Sequence, residues 1–146
     1  MSRDLRWLAL RWYDEIYNQG RLDTIDELMA PSAVIHGGGL DVRPVRGPSD
    51  LKEQVQTLRD AFPDLHVTVE RLVVQADLVA IRCVASGTHE GPGLGIVATG
   101  RKTTTPGMTM GRWARGRLVE GWSHWDLLSF YRQLGVLGLF DPSGRG

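Results

Sequence analysis

The stretch Leu118-Val119-Glu120-Gly121-Trp122-Ser123-His124-Trp125-Asp126 reads as a β-strand, and the rest of the chain can be interpreted around it. Side chains alternate between the two faces of a strand, so one face would carry two carboxylates, an imidazole and an indole. These are the side chains of Glu120, Trp122, His124 and Asp126. A half-exposed strand with its polar face in water is the simpler interpretation. The large apolar ring between ionisable groups favours instead one wall of a small-molecule pocket.

Composition indicates a single soluble globular domain. The 146 residues are 42% apolar and 23% charged, with 17 basic and 17 acidic side chains. This length supports one core but is short for two ordinary domains. The balanced charge argues against nucleic-acid binding, which needs a clustered basic surface. Neither a signal-peptide pattern nor a membrane-spanning apolar run is present. We therefore expect one cytoplasmic domain over residues 1–146 without membrane association, ordered from about 5 to 135 and ending in a loose tail.

Hydrophobic periodicity predicts two helices, a short strand, a third helix and then four long strands. The helices are expected at about residues 4–18, 22–29 and 48–62. Strands are expected at 33–36, 66–74, 78–88, 102–114 and 118–126, with a glycine-rich loop at 90–100 and a short helix at 127–134. Pro106 suggests an edge strand or a bulge. This order indicates an α+β fold in which helices pack on one face of a curved, mainly antiparallel sheet.

The register of the last hairpin decides which side chains face the predicted pocket. Arg115 is a poor residue for a positive φ and Gly116 is a good one, which favours a three-residue loop with a glycine bulge. That register places Met108, Met110 and Arg112 beside Trp122, Glu120 and Leu118. A two-residue loop would exchange the faces and bring Gly107, Thr109 and Gly111 there instead.

Motifs for nucleotide, metal or nucleophile chemistry are not supported by their context. Residues 93–98 match the loose sequence pattern of a dinucleotide-binding loop, but no βαβ unit surrounds them. The residues that follow approach a phosphate-binding loop, but Arg101 stands where that loop needs lysine. The four histidines show no metal-ligand spacing, and there is no serine nucleophile elbow. Cys83 lies in an apolar strand, as a buried structural thiol does. We expect no metal and no cofactor.

Histidines and tryptophans supply further candidates. His36 and His89 end strands just before glycine-rich loops, where binding residues are often found, although each alone is more typical of a structural histidine. The aromatic residues of the first helix, Trp7, Trp12 and Tyr13, are more typical of core than of ligand contacts. Trp113 and Trp125 fall on the sheet face opposite the predicted pocket. Paired indoles there suggest a homodimer through the outer sheet face.

Several segments together resemble a known family. They are Tyr17-Asn18-Gln19-Gly20-Arg21-Leu22-Asp23, Val34-Ile35-His36, Ala61-Phe62-Pro63-Asp64, Gly87-Thr88-His89-Glu90-Gly91, Thr99-Gly100-Arg101, Gly116-Arg117-Leu118-Val119-Glu120-Gly121-Trp122 with Asp126, and Gln133-Leu134-Gly135. The pattern is similar to the SnoaL-like polyketide cyclases of the nuclear transport factor 2-like superfamily over roughly residues 5–135. The resemblance implies a cone-shaped α+β barrel whose curved sheet wraps around three N-terminal helices.

The resemblance also implies an active site. In these cyclases an aspartate on the last strand is the general base, and Asp126 matches it. They use no metal or cofactor, and they usually pair through the outer sheet face. Two departures are evident: Ala98 replaces the proline of a Pro-Thr-Gly loop, and Met108 and Met110 occupy positions where polar catalytic helpers stand in the family.

The chemistry inferred is removal of a proton next to a carbonyl, followed by intramolecular aldol closure of an aromatic polyketide or a similar apolar ketone. Asp126 would accept the proton, its pKa raised by burial beside Trp122, while His36, His89 or His124 would protonate or polarise the carbonyl oxygen. Candidate substrate contacts are Trp12, Tyr13, Leu58, Phe62, Met108, Met110, Glu120 and Trp122. The alternatives are an isomerase or epoxide hydrolase in the same pocket, or a non-catalytic ligand-binding or dimerisation module, which the two methionines favour.

Overall fold

An open six-stranded sheet, with helices packed on one face, forms the architecture of the chain. The computed structural model describes residues 2–37 and 43–137, with side chains from residue 5 onward. The predicted C-terminal tail therefore lies outside the described residues. In chain order the elements are α1 (Ser2–Arg11), a π-helical segment (Trp12–Asn18), α2 (Asp23–Leu28), β1 (Met29–His36), β2 (Val45–Arg46), α3 (Gly47–Ala61), β3 (His66–Gln75), β4 (Leu78–Thr88), β5 (Lys102–Ala114), β6 (Arg117–Trp125) and α4 (Leu127–Leu134).

The strand order is β2-β1-β6-β5-β4-β3. Neighbouring strands are antiparallel except for β1 and β6, which run parallel. This confirms the predicted α+β class and the mainly antiparallel sheet. The sheet is open, with β2 and β3 at its edges, rather than closed into a barrel. Within the described ranges, no helix has the length and apolar character needed to cross a bilayer.

The first predicted helix changes its winding at Trp12. Beyond Arg11 the backbone is π-helical, and the amide of Gln19 donates to the carbonyl of Asp14, five residues earlier, at 3.0 Å. Such widened turns are uncommon and occur frequently at functional sites. The segment turns Trp12, Tyr13 and Ile16 inward, where all three are buried.

The inner sheet face, defined as the face toward these helices, is apolar along β4. Val79, Ile81 and Cys83 are each no more than 3% exposed. Cys83 is a buried free cysteine, and burial raises the pKa of its thiol to about 12, as expected for a structural thiol. Trp113 of β5 also points inward, is 5% exposed and meets the edge of Trp12 at a ring distance of 6.0 Å. The prediction that Trp113 lies on the outer face is therefore wrong.

The hairpin between β5 and β6 closes with a two-residue turn. Arg115 and Gly116 both have positive φ, at 55° and 78°, and Ala114 pairs directly with Arg117. The predicted three-residue loop is wrong, because this turn type requires positive φ at both central positions and matches the twist of the strands. Val119 then forms a bulge, since Trp113 pairs with Leu118 while Arg112 pairs with Glu120.

The shorter turn alone would have exchanged the faces of β6 relative to β5, and the bulge exchanges them back. Met110 pairs with Trp122 and Met108 with His124, so the predicted companions share a face, two residues out of the predicted register. That face is the outer one, however. The inner face carries the other set of residues, so Glu120 and His124 lie on the side of the sheet away from the helices.

Pro106 lies in a central strand, contrary to the expectation of an edge or a bulge. Its carbonyl accepts from the amide of Asp126 at 3.1 Å, on the side facing β6. The nitrogen and carbonyl of an antiparallel residue point to the same side, and the last β5–β6 pair is Gly107 with Trp125. The missing N–H of Pro106 therefore falls where the ladder has already ended.

Asn18 fastens the end of the π-helical segment to the edge strand β3. Its side-chain amide donates to the carbonyl of Val67 at 3.0 Å, and its side-chain oxygen accepts from the Val67 amide at 2.7 Å. Asn18 thus satisfies both backbone groups of one edge residue, as a neighbouring strand would.

A charged network holds the N-terminal helices together. The Arg11 guanidinium donates to Glu15 at 2.6 Å and to Glu27 of α2 at 2.9 Å, and the Thr24 hydroxyl donates to Glu15 at 3.0 Å. The hydrogen bonds from Arg11 lower the pKa of Glu15 below its usual value. The charged form of Glu15 is therefore the form that stabilises the fold.

We predict that Glu15→Gln flattens the acid side of the stability profile. A lowered folded-state pKa gives stability that is present above the ordinary glutamate pKa, near 4.3, and is lost as pH falls through the folded value. At pH 7 the free energy of unfolding of the variant should be about 1–2 kcal/mol below that of the parent, because charge-assisted hydrogen bonds are lost. Between pH 5 and pH 3 the free energy of unfolding should fall less in the variant than in the parent. Urea unfolding across this range measures the difference. An identical acid decline in parent and variant would contradict the role of Glu15.

Candidate functional site

A cavity of about 140 Å³ lies between the inner sheet face and the helices. The π-helical segment contributes Trp12, Tyr13 and Tyr17 to its wall, and α3 with the residue after it contributes Leu58 and Phe62. Trp113 and Trp125 close it on the sheet side. Broad aromatic surfaces of this kind bind flat apolar molecules.

Small residues on β5 make the room for these rings. The inner row of β5 consists of threonines and glycines before Trp113, and lines the cavity with Thr103, Thr105, Thr109 and Gly111. A Cβ atom at Gly107 would clash with the Trp125 ring, approaching Cζ3 to 2.8 Å. The ring of Trp125 therefore lies against a position that only glycine fills. The prediction that Trp125 faces outward is wrong.

The polar side chains among the described lining residues are hydroxyls and the carboxamide of Gln54. Tyr13 Oη and Thr109 Oγ1 hydrogen-bond to each other at 2.6 Å, and Thr103 Oγ1 donates to the carbonyl of Gly87 at 3.5 Å. Burial raises the pKa of Tyr13, which keeps its hydroxyl protonated at neutral pH. Among the described residues that line the cavity there is no Asp, Glu, His, Lys or Arg.

Asp126 stands at the start of α4. Its carboxylate accepts from the amide of Ser129 at 3.0 Å, the hydrogen bond of a helix N-cap, and the residue is exposed. The residues on either side, Trp125 and Leu127, both line the cavity, while Asp126 does not. The burial of this carboxylate beside Trp122, expected from the sequence, is not observed.

Glu120, His36 and Trp122 form a cluster on the outer sheet face. His36 Nε2 lies 2.9 Å from Glu120 Oε2, and the His36 ring stacks on Trp122 with centroids 5.9 Å apart. Arg112 donates to Glu120 at 3.1 Å. His124 is exposed on the same face, beside Met108. The structure thus brings Glu120 to His36, but it does not bring Glu120, His36 or His124 to the cavity.

His89 is fully buried. Its Nδ1 accepts from the amide of Thr99 at 3.2 Å, and its Nε2 has no partner among the described residues. The ring packs on Phe62 with centroids 5.4 Å apart, and Phe62 lines the cavity. His89 thus contacts a lining residue, although it is not itself part of the lining.

The predicted substrate contacts divide into two groups. Six of them line the cavity, namely Trp12, Tyr13, Leu58, Phe62, Met110 and Trp122. Met110 and Trp122 belong to the outer face but also line the cavity. They lie next to Gly111 and Gly121, which pair with each other and have no side chains. Met108 and Glu120 do not line it.

Apart from Tyr13, the polar lining residues of the cavity were not predicted. They are Tyr17, Gln54, Thr103, Thr105, Thr109 and Ser123. The signal for the three threonines is the row of threonine and glycine along β5, opposite the small and apolar residues of β4. Within the described part of the chain, no three His, Cys, Asp or Glu side chains converge as ligands of a metal would.

Comparison with known proteins places the chain in a family. The model of the SnoaL-like polyketide cyclases matches residues 7–134. The chain therefore belongs to the SnoaL-like polyketide cyclase family, as its sequence pattern indicated. No curated protein is a significant match.

Solved structures agree with this assignment. IdmH from Streptomyces antibioticus, a proposed polyketide cyclase, is 38% identical over 88% of this chain and 96% of its own, with a TM-score of 0.75. TsrD from Streptomyces laurentii is 27% identical over 92% and 97%, with a TM-score of 0.80. AclR from Streptomyces galilaeus, a proposed hydroxylase, is 25% identical over 94% and 87%, with a TM-score of 0.79. Family and neighbours together indicate a small-molecule enzyme of cyclase or hydroxylase type.

Gly107→Ala should disturb the cavity through Trp125. The added methyl group occupies the space of the indole, so the ring must move, at a cost of about 1–3 kcal/mol. We expect a lower Tm and a changed tryptophan emission spectrum. Thr104→Ala, an exposed position on the same strand, is the control and should change neither. Parent-like stability and emission for Gly107→Ala would show that the ring does not depend on this glycine.

Proposed function

We propose that this protein is a cofactor-independent cyclase that closes a ring in a flat, apolar ketone of polyketide type bound in the cavity. The family assignment and the aromatic walls support this substrate class. The reaction is removal of a proton from the carbon next to a carbonyl, attack of the resulting enolate on a second carbonyl carbon, and protonation of the alkoxide so formed.

The hydrogen-bonded hydroxyl pair of Tyr13 and Thr109 carries the proposal. One hydroxyl donates to the other, which leaves one O–H hydrogen of the pair to meet a substrate carbonyl. A fixed donor in a water-poor, aromatic cavity stabilises the negative charge that develops on an enolate oxygen. The raised pKa of Tyr13 preserves this donor at neutral pH.

Asp126 is the proposed base. It is exposed next to the cavity, between the lining residues Trp125 and Leu127, and so the acidic C–H of the substrate would have to meet it at the edge of the cavity. A carboxylate is a group that can accept a proton from carbon. Its capping bond to Ser129 fixes its position.

Two variants test these roles on a ketone that the parent turns over. Asp126→Asn keeps the helix cap and should lower kcat by about a hundredfold to ten-thousandfold, because the amide cannot accept the proton. Tyr13→Phe keeps the ring and should lower kcat by about a hundredfold through loss of the hydroxyl pair. Asp126→Glu is the control, since it keeps a carboxylate and should retain more activity than the amide. Far-UV circular dichroism checks that all three fold.

A parent-like rate for Asp126→Asn, within about threefold, would leave the proposed mechanism without its base. The same result for Tyr13→Phe would remove the hydroxyl pair from the mechanism.

A ligand-binding protein without catalysis is the second candidate. The observation that favours it is the lack of acidic, basic or imidazole side chains among the described lining residues. Tight binding of polyketide-type ketones by a parent protein that leaves them unchanged would favour this function over ring closure.

We further propose that the protein forms a homodimer through the outer sheet face. A row of directly paired residues crosses this face, formed by Val73, Ala80, Met110 and Trp122. Val73 is 64% exposed, and Met108, two residues from Met110 on β5, is 55% exposed. A second copy that meets this row would cover these side chains.

Sedimentation at micromolar concentration tests the dimer. The parent should sediment as a dimer, and Met108→Glu as a monomer, because two copies would bury like charges close together. Val97→Glu, on an exposed loop position, should remain dimeric. A monomeric parent, or a dimeric Met108→Glu, would contradict this interface.

A further inference from the structure

We infer that Thr105 is a specificity-determining residue of the cavity, whose hydroxyl donates a hydrogen bond to an uncharged oxygen of the ligand. The inference rests on the proposed function in one respect, namely that the ligand is an apolar ketone. It adds an anchoring point that is separate from the Tyr13 and Thr109 pair.

Thr105 differs from its neighbours in the same row of β5. The hydroxyls of Thr103 and Thr109 each have a partner, the Gly87 carbonyl and Tyr13 respectively. Thr105 is only 5% exposed, and its Oγ1 has no hydrogen-bond partner among the described residues. Buried hydroxyls are rarely left unpaired, because the lost hydrogen bonds to water cost about 1–3 kcal/mol.

The position of Thr105 opens its side chain to the cavity. It lies on the inner face of β5 and lines the cavity directly. Its paired residue on β4 is Ala85, and the next inner residue of that strand is Gly87, so small side chains lie beside it. Oγ1 itself is buried, so a ligand oxygen reaches it when the side chain rotates, for which these small neighbours leave room.

The surroundings define the chemistry of the ligand atom. The described lining holds no lysine, arginine or histidine, so a carboxylate or phosphate would be desolvated there without a counter-charge. A ketone oxygen needs only a donor, and Thr105 has a free O–H. The site therefore selects a neutral acceptor, and it discriminates a ketone from the corresponding hydrocarbon.

Fluorenone and fluorene are a suitable pair of probes, because they are flat, apolar and nearly isosteric, and only the first has a carbonyl. Their binding can be followed by quenching of tryptophan emission, since Trp12, Trp113, Trp122 and Trp125 all line the cavity. The parent should prefer fluorenone. Thr105→Val, which keeps the shape of the side chain, should weaken fluorenone binding about fivefold, the effect of one neutral hydrogen bond, and leave fluorene binding unchanged.

Two further variants separate this role from a structural one. Thr105→Ser restores the hydroxyl and should restore the preference for fluorenone. Thr104→Val, at the exposed neighbouring position that does not line the cavity, should change neither stability nor the preference. Thr105→Val itself should be at least as stable as the parent in thermal unfolding, because it removes an unpaired buried hydroxyl.

Equal affinities of the parent for the two probes, or an unchanged preference in Thr105→Val, would overturn the inference. Failure of the proposed function has a different signature. If Thr105 governs ketone preference but the parent closes no ring in any polyketide-type ketone, then the binding site stands and the catalytic proposal fails. If the parent closes rings but its preference for the ketone does not depend on Thr105, then the catalytic proposal stands and the inference about Thr105 fails.

Discussion

The pairing of β5 with β4 is the constraint on which the rest of the structure depends. Eleven consecutive pairs run without interruption from Leu78 with Arg112 to Thr88 with Lys102. The alternation on β4 is strong, with Val79, Ile81 and Cys83 all buried on one face. Because the register has no slip, the threonines, glycines and Trp113 of β5 lie on the same face of the sheet as these residues. The cavity takes its hydroxyls from that register.

The hairpin to β6 shows how two local deviations can cancel. A two-residue turn alone would have placed Val119 opposite Arg112, and the bulge at Val119 moves the pairing on by one residue. Glu120 and Trp122 thereby join Arg112 and Met110 on the outer face. The positive φ of Arg115 is tolerated because the turn type fits the twist of both strands, and that fit outweighs the modest steric cost of a left-handed residue.

Periodicity predicted most elements closely, because the apolar stripes of α3, β3 and β4 are clear. It did not predict the inner and outer faces of the last hairpin, since both faces of β5 and β6 mix aromatic, polar and small residues. The outer face carries Trp122 and the inner face Trp125, so hydrophobicity does not distinguish them. Of the predicted contacts, Tyr13 of the π-helical segment, Phe62 after α3 and Trp122 of β6 line the cavity, whereas Glu120 of β6 does not.

The position of Asn18 has a consequence for how the molecule avoids self-association at its sheet edges. An open sheet offers unpaired backbone groups on its outermost strands, which can recruit strands from other molecules into growing aggregates. On β3 the two hydrogen bonds of the Asn18 amide occupy the backbone of Val67, and the guanidinium of Arg6 approaches the carbonyl of Leu72 at 3.5 Å. At the opposite edge β2 is only two residues long. At the β3 edge the Asn18 side chain takes the place of a strand, and at the other edge β2 is short. Both features reduce the continuous backbone on which an intermolecular sheet could extend.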